Sequence, residues 1–79
     1  MDIQMVGIDH SKASIEYREG FSFTRHEAAM AMNQIMEWYQ EELTGCVVLS
    51  TCNRTELYIS CVEESMDPYE ILCRVKDID

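Results

Sequence analysis

The segment Thr51–Arg54 brings residue types that can do chemistry into four consecutive positions. Cys52 supplies a thiol and Arg54 a guanidinium, and a nearby positive charge favours the thiolate, which is the nucleophilic form. Arginine can also hold a carboxylate through two parallel hydrogen bonds. Thr51 adds a hydroxyl, and Asn53 adds an amide that can fix a turn. The segment therefore predicts either a nucleophile beside an anion receptor or a structural cysteine in a turn.

The remaining cysteines and histidines have weaker claims to chemistry. Three cysteines share an apolar setting and are predicted to be buried free thiols: Cys46, Cys61 and Cys73. The chain has no C-x-x-C pair, so we expect no zinc or other metal site. His26 falls in the first turn of a predicted helix and should be exposed. His10 follows a predicted strand and can line the same pocket as Cys52.

Composition limits the class of protein. The chain has 79 residues, which is one domain or a piece of one, and 47% of them are hydrophobic, as in a folded globule. No apolar run of about 18 residues is present, and the N-terminus lacks the pattern of a signal peptide, so we expect a cytoplasmic protein without a membrane partner. The net charge of −9 repels phosphate backbones, so this segment alone should not grip nucleic acid.

Hydrophobic periodicity predicts the elements that must position Cys52. A β-branched run predicts a first strand at Ile3–Ile8. Ser14 can cap a short helix over Ile15–Glu19, closed by Gly20. Thr24 and Glu27 then form a capping box, and apolar residues at steps of three and four predict a helix over Arg25–Leu43. These residues are Ala28, Ala31, Met32, Ile35, Tyr39 and Leu43, with Gly45 as the predicted stop.

The second half of the chain predicts a hairpin and another helix. The continuous apolar run Cys46–Leu49 is typical of a central strand covered on both faces. Thr55–Val62 alternates, with Leu57, Ile59 and Cys61 on one face. Asp67 and Pro68 begin a helix that continues to Ile78. This order predicts an α+β fold of the ferredoxin-like split β-α-β type, an antiparallel sheet with helices on one face, truncated before its last strand.

Two blocks of the sequence resemble the N-terminal catalytic domain of glutamyl-tRNA reductases. They are GIDHSKASIEYRE at Gly7–Glu19 and LSTCNRTELY at Leu49–Tyr58. That family reads Gly-(apolar)-x-His-x-x-Ala-x-(apolar)-Glu-x-Arg-Glu near its start and Ser-Thr-Cys-Asn-Arg-(Thr)-Glu-(apolar)-Tyr after a long helix. Both blocks occur here in that order. The sequence departs at Lys12, Ser14 and Tyr17, where threonine, proline and valine are more usual.

The resemblance implies a function for the segment. Residues 1–79 would be a fragment of the catalytic, glutamyl-binding domain, while the NADPH-binding and dimerisation domains of a homodimer are absent from this chain. Cys52 would be the nucleophile that takes the glutamyl group from glutamyl-tRNA as a thioester, and NADPH would reduce it to glutamate-1-semialdehyde for porphyrin (tetrapyrrole) biosynthesis. Thr51, Cys52, Asn53 and Arg54 would bind the substrate. No G-x-G-x-x-G motif for NADPH occurs here.

Two other classes of function remain open at this level. One is a non-catalytic binding module of ferredoxin-like fold, in which Cys52 is structural. The other is a thiol redox sensor. The reactivity of the thiols separates them, because one fast cysteine indicates an enzyme or a sensor and none indicates a module.

Overall fold

The computed structural model of the chain describes residues 2–10, 20–62 and 66–77. The described elements are three strands and two helices: β1 (Asp2–Asp9), α1 (Arg25–Trp38), β2 (Leu43–Ser50), β3 (Arg54–Cys61) and α2 (Pro68–Lys76). The strands form one antiparallel sheet in the order β1-β3-β2. This is the α+β arrangement predicted from the sequence, and it is consistent with a ferredoxin-like split β-α-β fold.

Both predicted helix starts are confirmed. The Thr24 hydroxyl accepts from the Glu27 N–H at 3.1 Å, and the Thr24 N–H donates to the Glu27 carboxylate at 2.8 Å. That backbone donor, with the threonine hydroxyl, lowers the pKa of Glu27. At α2 the Asp67 carboxylate accepts from the Tyr69 N–H at 3.0 Å, and Pro68 occupies the first turn. Ile78, predicted to extend α2, lies outside the described residues.

The predicted end of the first long helix is wrong. Helix α1 ends at Trp38, and Leu43 begins β2. Leu43 is buried as a strand residue, so its step of four from Tyr39 matched the helical period by coincidence. The Val62 N–H donates to the Glu42 carbonyl at 2.9 Å, which joins this segment to the sheet. Gly45 is therefore not a helix stop but a strand residue at a register shift.

The prediction of Cys46–Leu49 as a central, doubly covered strand is also wrong. Strand β2 pairs only with β3, so within the described residues it is an edge strand and β3 is central. Its side chains alternate: Val48 is buried, whereas Val47 and Leu49 are 46% and 50% exposed. A run of apolar residues does not distinguish two buried faces from one buried and one exposed apolar face.

One face of the sheet carries the core. The predicted alternation of β3 is confirmed, because every second residue from Thr55 to Cys61 is buried. These side chains pack with the inner faces of both helices in one cluster: Ile8, Phe21, Ala28, Ala31, Ile35, Leu43, Val48, Leu57, Ile59, Cys61, Ile71 and Leu72. The predicted helix Ile15–Glu19 lies outside the described residues. Gly20, predicted to close that helix, is itself helical, as is Phe21. No described helix is long and apolar enough to cross a membrane.

Candidate active site

The turn between β2 and β3 is built around the hydroxyl of Thr51. That hydroxyl accepts from the backbone N–H groups of Asn53, at 3.2 Å, and Arg54, at 3.1 Å. The Thr51 N–H in turn donates to the Arg54 carbonyl at 2.8 Å. A threonine bonded to the backbone two and three residues ahead stabilises a tight turn. Thr51 therefore holds the loop on which Cys52 is displayed.

Cys52 differs from the other three cysteines in its access to solvent. It is exposed at the tip of the turn, whereas Cys61 is fully buried and Cys46 and Cys73 are half-buried. Burial raises the pKa of the Cys46 thiol, and burial with the Asp2 carboxylate raises that of Cys61. All four thiols are free, as predicted. Of the four thiols, Cys52 is the exposed one.

Arg54 lies on the sheet face opposite the helices. Its guanidinium lies across Gly7 of β1, so a methyl group added at Gly7 would overlap the guanidinium. Its Nε atom lies 3.6 Å from a carboxylate oxygen of Glu56, which is too long for a good hydrogen bond, and the Arg54 side chain is 45% exposed. The Tyr58 hydroxyl donates to the same oxygen at 2.7 Å, a bond that raises the pKa of Tyr58. A half-exposed arginine with one weak ion pair can still receive an anion.

Beneath the turn lies a buried group of polar side chains. His10 is 1% exposed and Thr55 is 0% exposed. The His10 Nε2 atom lies 2.8 Å from the Thr55 hydroxyl, which lies 3.1 Å from the Ser50 hydroxyl. The His10 backbone N–H donates to the Asn53 carbonyl at 2.7 Å. His10, predicted to line the pocket, thus sits inside the protein against the base of the turn.

The structure brings the four predicted substrate-binding positions together in one exposed turn, with His10 below it. Sequence reasoning missed Gly7, Glu56 and the Ser50–Thr55 pair. A signal for Thr55 was available, because it shares the strand parity of Leu57 and so must be buried with a polar partner. Glu56 and Tyr58 share the parity of Arg54 on the open face. The approach of Arg54 to Gly7 needs the sheet register, which the sequence does not contain.

The site does not contain a metal centre within the part of the chain that the structure describes. There, no three His, Cys, Asp or Glu side chains cluster so as to hold an ion. The chain's three glycines, at positions 7, 20 and 45, are far apart in sequence. They do not form the glycine-rich loop that cradles a dinucleotide. The turn offers a thiol, a guanidinium and short polar side chains.

Comparison with known proteins identifies close relatives. A family model described as "Glutamyl-tRNAGlu reductase, N-terminal domain" matches residues 6–79. The chain is 45% identical to the glutamyl-tRNA reductase of Alkaliphilus oremlandii over 80 aligned positions, covering 100% of this chain and 23% of the relative. It is 42% identical to the glutamyl-tRNA reductase of Acetivibrio thermocellus, covering 100% of this chain and 24% of that protein. The chain thus spans about a quarter of the length of these relatives.

Proposed function

Because this chain belongs to the glutamyl-tRNA reductase family, whose N-terminal domain it matches, we propose that it is the glutamyl-binding, nucleophile-bearing part of such a reductase. The complete enzyme would reduce glutamyl-tRNA to glutamate-1-semialdehyde with NADPH, a step that supplies tetrapyrrole synthesis. Residues 1–79 would provide the first half of the reaction. The NADPH-binding and dimerisation domains would belong to the longer chain, and the enzyme would act in the cytoplasm as a homodimer.

In this proposal Cys52 is the catalytic residue of the first step. Its thiolate attacks the ester carbonyl carbon of the glutamyl group, a carbon–sulfur bond forms, and the bond to the ribose oxygen of the tRNA breaks. The tRNA leaves as the alcohol after that oxygen takes up a proton. NADPH, held by another domain, would supply the hydride that reduces the thioester to the aldehyde and frees the thiolate.

The observation that carries the proposal is the setting of Cys52. It is exposed in a turn whose backbone is fixed by Thr51, and it stands in the sequence block shared with the family. Rigid backbone with an exposed reactive atom is the usual way in which loops carry catalytic groups. A fixed thiol also reduces the entropy lost on reaching the reacting geometry.

Arg54 would hold a carboxylate of the glutamyl group. Arg54 lies two residues after Cys52, and its half-exposed guanidinium lies on the open face of the sheet. The planar fork of arginine matches a carboxylate through two hydrogen bonds. Asn53 lies between the two groups and completes the exposed turn. The contribution of Thr51 would be indirect, because its hydroxyl already bonds two backbone N–H groups of the turn.

Recognition of the tRNA itself would fall mainly to other domains. The net charge of −9 on this chain disfavours contact with a polyanion. Within this domain the substrate is therefore the small glutamyl end of a large molecule. Such a division fits an exposed turn, because the reacting ester must reach Cys52 while still attached to the tRNA.

A burst experiment tests the proposal. The complete reductase is mixed with glutamyl-tRNA in the absence of NADPH, and deacylated tRNA is measured against time. We expect about one equivalent of tRNA to be released rapidly per chain, followed by a slow phase, because the thioester accumulates. Addition of NADPH should release glutamate-1-semialdehyde. Absence of any burst, with fast oxidation of Cys52 by peroxide, would instead favour the thiol sensor.

A further inference from the structure

The polar group beneath the turn is the strongest unexplained feature of the described structure. His10 and Thr55 are the two fully buried polar side chains within residues 2–10, 20–62 and 66–77. Both lie directly under the loop that displays Cys52. Buried polar groups weaken a core unless every one is bonded. Apolar side chains of similar shape at both positions would keep stability or improve it.

The hydrogen bonds of this group join four separate segments. His10 follows β1, Phe23 precedes α1, Ser50 ends β2 and Thr55 is the second residue of β3. The Phe23 N–H donates to the Ser50 hydroxyl at 3.0 Å, and that hydroxyl pairs with Thr55, which pairs with His10. The two hydroxyls face each other across the base of the turn. The network therefore fixes the positions of Ser50 and Thr55, on the two sides of the Cys52 turn, relative to β1 and α1.

The histidine is the member that reaches the turn itself. Its ring bonds Thr55, and its backbone N–H donates to the Asn53 carbonyl, on the residue next to Cys52. Its Nδ1 atom is buried and has no hydrogen-bond partner among the described residues. A buried polar atom without a partner is costly, so stability does not explain the choice of histidine here.

We propose that His10 is a positioning residue for Cys52, acting through its ring contact with Thr55 and its backbone contact with Asn53 to hold the turn in the geometry for acyl transfer. The inference rests on the proposed function, because it assigns His10 a role in the reaction of Cys52. His10 does not touch the substrate, since its side chain is buried. Its loss should therefore lower the rate of acyl transfer rather than the affinity for glutamyl-tRNA.

The test uses the complete reductase with four substitutions. His10→Leu removes both ring nitrogens and keeps an apolar filler, and His10→Gln restores an amide nitrogen near the position of Nε2. Thr55→Val removes the hydroxyl at nearly constant shape. His26→Leu is the matched control, because His26 is exposed in the first turn of α1. The first-step rate, the apparent affinity and the thermal midpoint are measured for each.

We expect His10→Leu and Thr55→Val each to slow the first step about 10- to 100-fold, because small displacements of a reacting group cost this much. The KM for glutamyl-tRNA should hardly change. The thermal midpoint should fall in each single variant, because one buried hydrogen-bond partner is left unpaired, and should recover in the double variant His10→Leu/Thr55→Val. His10→Gln should recover much of the rate, His26→Leu should match the wild type, and the double variant should be no slower than either single one. Wild-type rates in both single variants at a temperature where they are folded, or a double variant that regains the wild-type rate together with its midpoint, would overturn the inference.

A second readout separates this inference from the proposed function. Hydrogen exchange at the backbone N–H groups of Asn53 and Arg54 reports the order of the turn without any substrate. His10→Leu should speed exchange at these groups by about tenfold, and unchanged exchange would contradict the positioning role. Full activity in a Cys52→Ser enzyme would instead refute the proposed function, whatever the exchange data show.

Discussion

The two ends of β3 each stand beside a cysteine, and the two cysteines are in opposite environments. At the start of the strand, Cys52 is exposed in a turn closed by the hydroxyl of Thr51. At the far end, Cys61 is fully buried opposite Leu43, and its pKa is raised by burial and by the Asp2 carboxylate. The turn before the strand thus carries a thiol that solvent can reach, and the last residue of the strand carries one that is buried in the core.

The difference shows that position in the fold, not residue type, sets the environment of each thiol. Burial penalises the thiolate, so Cys61 behaves as a small apolar residue of the core. The turn at Cys52 has the opposite organisation, with polar side chains beneath it and an arginine beside it. If this comparison is right, substitutions near Cys52 change activity and substitutions near Cys61 change stability.

The largest expected effect comes from removing the exposed thiol. Cys52→Ser replaces the thiolate with a hydroxyl that is a far weaker nucleophile at neutral pH, so acyl transfer should fall on the order of 10³-fold or more. Single-turnover release of tRNA by the complete reductase measures this rate. Turnover close to that of the wild type would show that Cys52 is not the nucleophile.

Arg54→Lys should have the next largest effect. Lysine keeps the positive charge but loses the planar fork, so the glutamyl group would be held less exactly. We expect kcat/KM to fall about 10- to 100-fold, with KM raised and kcat lowered. Steady-state kinetics with glutamyl-tRNA measure both constants. Unchanged kinetics would mean that Arg54 is a surface residue of the turn.

Gly7→Ala tests whether the path of the arginine side chain matters. An added methyl would lie 2.7 Å from the Arg54 Cζ atom, so the flexible guanidinium must move away from Gly7. KM should rise up to about tenfold, as expected when a bidentate contact is misaligned. Gly45→Ala is the matched control, because nothing lies within 4 Å of a methyl there. Equal kinetics in the two variants would show that the approach to Gly7 is incidental.

Cys61→Ser tests the other end of the strand. The substitution places a hydroxyl in the apolar core, which costs about 1–3 kcal/mol if the group finds no partner. Chemical denaturation should show this loss, while the single-turnover rate stays at the wild-type value under conditions where the protein is folded. A marked loss of acyl transfer without a loss of stability would assign Cys61 a chemical role and contradict the comparison.

The smallest expected effect is a loss of stability at alkaline pH, caused by the two thiols whose pKa values are raised. The pKa values of Cys61 and Cys46 are raised above the ordinary value of 9.0, so the folded state keeps these protons after the unfolded state has released them. Their contribution to stability is present below about pH 9 and lost as the pH rises through the raised values. The thermal midpoint should therefore fall as the pH rises above about 9, and less steeply in Cys61→Ala. Identical slopes would show that Cys61 does not titrate in this way.

The sequence predicted the helix starts and the strand alternation better than the pairing of the strands. The capping box at Thr24, the proline at the start of α2 and the alternation of β3 are local signals, and all three are confirmed. The end of α1 and the position of β2 in the sheet were missed. Both depend on which strand pairs with which, and neither a period of four nor an apolar run contains that information.

For the candidate site, too, the sequence indicated the local part and not the contacts between distant segments. Adjacent residues in one turn are recognisable from the sequence, so the four positions from Thr51 to Arg54 were found together. His10 was predicted to line the same pocket, but the contacts that join distant segments were not found, because they form only in the fold. His10 and Thr55 are 45 positions apart, and Gly7 reaches Arg54 only through the register of β1 on β3.

The most direct test of the account is to find the atom that carries the glutamyl group. The complete reductase is mixed with glutamyl-tRNA without NADPH, quenched in acid and digested, and the peptides are analysed by mass spectrometry. The account predicts a glutamyl adduct on the peptide that contains Cys52, removable by hydroxylamine as expected of a thioester. An adduct on Cys46, Cys61 or Cys73, or transfer of the glutamyl group with no adduct on Cys52, would contradict it.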